Sequence, residues 1–65
     1  MENEWVVIAS FFDDVKAQIA IDLLINNGIE AVAVDKRDRN YRFGEIELCV
    51  HRDNVIAAKE IIKDL

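Results

Sequence analysis

The sequence predicts an α+β fold in the order strand, helix, strand, strand, helix, and three observations predict it. Residues 5–12, WVVIASFF, are rich in β-branched and aromatic side chains, as strands are. Gly28 closes a stretch whose apolar residues recur at helical spacing. The segment EIELCV, directly after Gly44, alternates strictly between apolar and polar positions, the mark of a half-buried strand.

The first strand ends where Asp13 and Asp14 appear. A carboxylate there accepts from the free N–H groups of a new helix and suits the positive end of its dipole. The helix should run from Val15 to Asn27, with Ala17, Ala20, Ile21 and Leu24 on one stripe. Gly28 supplies the left-handed residue that stops it, and Ile29 can fold back onto the last turn. Residues 29–35, IEAVAVD, read as the second strand, and 36–43, KRDRNYRF, as a polar connection. In the third strand Ile46, Leu48 and Val50 share one face, and Glu45, Glu47, Cys49 and His51 share the other. Asp53 is the expected cap of the second helix. Val55, Ala58, Ile61, Ile62 and Leu65 line one side of that helix, with Lys59, Glu60, Lys63 and Asp64 directed away.

A helix between the first two strands makes them parallel with a right-handed crossover. A short link between the second and third makes a hairpin. The usual solution inserts the third strand between the others, a split βαβ of the ferredoxin-like kind, with both helices on one face of a three-stranded antiparallel sheet. The fourth strand of that arrangement is expected to be missing, and residues 1–65 are expected to form a single domain.

A chain of 65 residues has little core to spare. Domains of this size usually add a disulfide, a metal or a partner subunit. Cys49 is the one cysteine, which excludes an internal disulfide, and Cys49 with His51 are too few soft ligands for a closed zinc site. No cofactor is expected. Self-association is the support that is left, with a dimer favoured. The acidic start, Met1 to Glu4, is unlike a secretory signal, so a cytoplasmic setting is expected. No apolar run reaches membrane-spanning length. A net charge of −5 argues against nucleic acid, whose affinity depends on neutralising phosphates.

Phe11 to Asp13, Ala17, Leu24, the segment Asn26 to Ala31, Asp35, Gly44, the strand Ile46 to Val50 and Ala58 carry a resemblance. Over essentially its whole length the chain resembles small prokaryotic domains described as signal-transducing and grouped with the PII-like (GlnB-like) proteins. The resemblance implies their fold, and a connection between the second and third strands that contacts partners. Its residues make a cap, a helix stripe, a helix stop and a hairpin, so it speaks to fold more than to chemistry.

Three features bear on function. Lys36, Arg37, Arg39 and Arg42, with Tyr41, form a basic connection that could hold a small anionic ligand or an acidic partner protein; the alternative is a solvated hairpin tip balanced by Asp35 and Asp38. Glu47, Cys49 and His51 fall on one strand face, but ligands in a straight line fit a tetrahedral ion badly, so no metal site is assigned. The first strand is apolar on both parities: Val6, Ile8 and Phe12 on one, Trp5, Val7, Ala9 and Phe11 on the other. Two helices cover one sheet face only, so Trp5, Val7, Ala9 and Phe11 are the candidate oligomer interface, by edge pairing, face packing or both. Val15, Ile19 and Ile56 also lie on the polar sides of their helices.

The function expected from this is a non-enzymatic regulatory or binding module. It would act through self-association and the basic hairpin. The alternative is a small-metabolite sensor of ACT-like or PII-like type. Against the ACT-like form, Phe11, Phe12 and Asp13 stand where such sites favour a glycine. An enzyme is not expected, because Ser10 and Tyr41 are the only hydroxyl side chains and the carboxylates read as caps and surface charge.

Overall fold

The computed structural model describes residues 4–37 and 44–65. Strand β1 (Trp5–Phe11) leads to helix α1 (Asp14–Asn26), strand β2 (Ala31–Asp35) and strand β3 (Ile46–His51). A 3₁₀ turn (Arg52–Asn54) then opens helix α2 (Val55–Ile62). The sheet order is β1-β3-β2, and β3 is antiparallel to both neighbours, so the α+β fold and the inserted third strand are as expected.

Local chemistry explains the element ends. Asp13 is the N-cap of α1: its Oδ1 accepts from the Val15 N–H at 2.7 Å. At the other end Gly28 has φ 81°. Its N–H donates to the Ile25 carbonyl, and the Ile29 N–H donates to the Leu24 carbonyl, both at 2.9 Å. This paired closure satisfies the last carbonyls and folds Ile29 back beside Leu24, where both are buried. The expected cap at Asp53 is not formed. The chain first winds through the 3₁₀ turn, so Asp53 sits inside that turn and α2 begins at Val55 with no side-chain cap bond. Helix α2 stops at Ile62, and Leu65 is exposed rather than part of its inner stripe.

The core lies between the sheet and the two helices. Leu48 and Val50 of β3, Ala20 and Leu24 of α1 and Ala58 of α2 are all fully buried in one cluster. Both helices feed this cluster, so both lie on the sheet face that carries Leu48 and Val50.

The register of β1 departs from strict alternation. Val7 pairs with Cys49 and Ala9 with Leu48, which leaves Ile8 as an extra residue, a β-bulge. Before it, Trp5 and Val7 share a face with His51 and Cys49. After it, Ala9 and Phe11 share the opposite face with Leu48 and Ile46, and Ile8, Ala9 and Phe11 all pack against the core. The expectation that Trp5, Val7, Ala9 and Phe11 lie together is therefore corrected. The bulge shifts the phase and turns the last two inward.

Gly44 (φ 105°) holds the other end of the hairpin. A Cβ there would stand 2.8 Å from the Lys36 carbonyl oxygen, whereas a Cβ at Gly28 would meet open space. Gly28→Ala should thus cost only the left-handed backbone penalty, about 1 kcal/mol. Gly44→Ala adds a collision with main chain and should cost about 2–3 kcal/mol. Urea denaturation of the two variants beside the parent measures this; equal losses would contradict the close approach.

Candidate interaction surface on the open sheet face

Because both helices lie on one side, no described helix or strand covers the other side of the sheet. The register arranges its side chains as a grid. Across the middle run Val7, Cys49 and Val32. At one end lie Ser10, Glu47 and Val34, and at the other Trp5 and His51. Alternation along the second strand adds Glu30 and Lys36 to the same face, beyond Val32 and Val34. Trp5 and Val7 are 41% and 46% exposed, and Val32 and Val34 each 39%, so the middle of the face is apolar and open to water.

Charged and aromatic groups rim this centre. The Trp5 and His51 rings stack with centroids 4.0 Å apart. The His51 Nε2 lies 3.3 Å from Glu30 Oε1. At the far end the Lys36 ammonium lies 3.9 Å from Glu47. Beside the face, Arg52 reaches Glu4 at 3.4 Å.

Cys49 corrects the reading of a fully wet face, since it is only 5% exposed. It sits on the central strand between Val7 and Val32, whose side chains flank it on both sides. Burial pushes its thiol pKa up, and the negative charge of Glu47 adds to this, while Lys36 opposes it. A neutral thiol here is a small apolar group. Among the described residues no set of three or more His, Cys, Asp or Glu side chains is placed to hold an ion. Glu47 is engaged with Lys36, and His51 with Glu30 and Trp5.

The basic connection divides. Arg37 is not a free cation. Its Nε and Nη2 donate to the two carboxylate oxygens of Asp35 at 3.0 and 2.8 Å, and Nη2 also lies 2.8 Å from Asp14. Its backbone N–H donates to Asp35 Oδ1 as well, at 2.9 Å. The hydrogen bonds to Asp35, aided by the charges of Asp14 and Asp35, raise its pKa further above the ordinary arginine value. Arg37 thus fastens the end of β2 to the start of α1. Lys36 remains largely exposed. Arg39, Tyr41 and Arg42 lie outside the described residues.

Of the four interface candidates, Trp5 and Val7 are on the open face, and Ala9 and Phe11 are not. Val32, Val34 and Cys49 belong to the surface and were absent from that set. Their signal is the pairing of larger Val32 and Val34 with small Ala31 and Ala33 on the other parity.

No family model, curated protein or solved structure matches the chain. The raised thiol pKa has a measurable consequence. A lower thiolate fraction at any given pH means slower alkylation, recovered as pH rises. Cys49 in the native chain should react more slowly with iodoacetamide at neutral pH than in urea, and its rate–pH curve should lie to the alkaline side of the unfolded chain's. Equal rates in the two states would contradict the shielding.

Proposed function

We propose that the chain is a non-enzymatic regulatory or binding module that acts by association through the open face of its sheet, with a second copy of itself as first partner. One observation carries the reading: Trp5, Val7, Val32 and Val34 leave apolar surface in water on one sheet face, interspersed with charged groups at its ends. Contiguous apolar patches of this kind often serve binding, because covering one returns the hydrophobic free energy of its area. A chain this small also gains the most from a partner's added core.

The basic connection is the second element of the proposal. Lys36, Arg39 and Arg42 would supply the charge for a small anion or an acidic partner, with Tyr41 as a stacking surface, while Arg37 is held by Asp35 and Asp14. The likeness to PII-like signalling domains supports this division of labour, since their equivalent connection contacts partners. A cytoplasmic setting suits the single unpaired thiol.

Light scattering and sedimentation at micromolar to millimolar concentration test association. Mass should rise with concentration, and a monomer throughout would overturn the reading. Val7→Lys places a charge in the apolar centre and should weaken assembly at least tenfold, about 1.4 kcal/mol or more. Asp22→Lys, an exposed position on α1, should leave it within about twofold.

A further inference from the structure

The charges around the open face prescribe how two copies meet. On the central strand Glu47 stands at one end and His51 at the other. On the neighbouring column the order is inverted: Lys36 accompanies Glu47, and Glu30 accompanies His51. Each of these contacts sets an acidic beside a basic group, with signs exchanged between the ends, and Glu45 adds a second carboxylate opposite Lys36.

We infer that a second copy docks on this face in reversed orientation, related by a two-fold axis that crosses β3 at Cys49. This rests on the proposed self-association. Two face-to-face registers with two-fold symmetry keep the strands of the two copies aligned. An axis along β3 lays Glu47 over the partner's Glu47 and His51 over the partner's His51, like on like. An axis across β3 lays Glu47 over the partner's His51 and brings the Lys36 ammonium to the partner's Glu30. It also brings Val7 to the partner's Val7 and Val32 to the partner's Val32, and Trp5 lies over the small Ser10. The Lys36 ammonium then meets a carboxylate, Glu47 meets an imidazole, and the row of Val7 and Val32 closes on itself.

Edge pairing is disfavoured by the same strands. The bulge at Ile8 breaks the regular spacing of donors and acceptors along β1. Strand β2 is five residues long and ends at Asp35, which Arg37 holds. The face is small. Three strands span roughly 15 Å and the grid roughly 20 Å along them, about 300 Å² per copy, well under the ~800 Å² of a standard interface. The dimer is accordingly weak and concentration-dependent.

Sedimentation equilibrium on the full chain and two charge variants, Lys36→Glu and Glu30→Lys, tests the register. Both positions are exposed, and circular dichroism checks that the fold is kept. Each variant alone sets like charges against each other twice per dimer and should weaken association roughly tenfold. Mixed in equal amounts, the two should form a heterodimer tighter than either homodimer, because the carboxylate introduced at position 36 of one copy then faces the ammonium introduced at position 30 of the other. In the like-on-like register these positions never meet, and mixing would give no rescue. Glu47→Gln gives a second reading: it should weaken the reversed dimer but tighten the like-on-like one. A parent chain that dimerises while Lys36→Glu, Glu30→Lys and Glu47→Gln are all silent overturns the inference and leaves association intact. A parent chain that stays monomeric overturns both.

Discussion

Two short helices can cover only one side of a three-stranded sheet, and the rest of this structure follows from how the central strand meets that limit. β3 is buried on its helix side through Ile46, Leu48 and Val50. On its other side no described helix or strand lies above it. Cys49 is buried there between its lateral neighbours Val7 and Val32, which remain in contact with water themselves. The hydrophobic free energy of the fold is thus concentrated in one layer, and the uncovered layer is the feature from which a function can be argued.

The bulge at Ile8 reconciles the first strand with this limit. A regular strand of seven residues would alternate its side chains, four on one face and three on the other. With one residue inserted, Val6, Ile8, Ala9 and Phe11 are all half-buried, and Trp5, Val7 and Ser10 are left outside. The core gains Ala9 and Phe11, and the open face receives the strand's one polar residue, Ser10. The same insertion interrupts the free edge of β1, so a single local irregularity enlarges the core and blunts edge-to-edge pairing.

Charge placement does similar double service. Arg37, read from sequence as part of a binding loop, locks β2 to α1 through Asp35 and Asp14. Its neighbour Lys36 turns to the open face and meets Glu47. Alternation along the strand end separates the two: one parity points toward the helix side, the other toward the bare side. Adjacent cations in the sequence therefore pair on opposite sides of the sheet.

Much of the fold was legible from the chain alone. Asp13, Gly28 and Ile29 mark the ends of α1 because capping and helix closure are local hydrogen-bond problems with few chemical solutions. The alternation of Ile46 to His51 made β3 the half-buried strand, and its place between the other two followed from connection lengths. The bulge left a faint trace, Ser10 on the same parity as Val6 and Ile8, but a phase shift can be located only against a partner strand. The tertiary structure alone decided which apolar residues of β1 are open to water, that Cys49 is shielded, and which cation is spent on the fold. Those outcomes depend on pairing register and on distances between residues far apart in the chain, such as Arg37 and Asp14 or Lys36 and Glu47, and local patterns do not encode them.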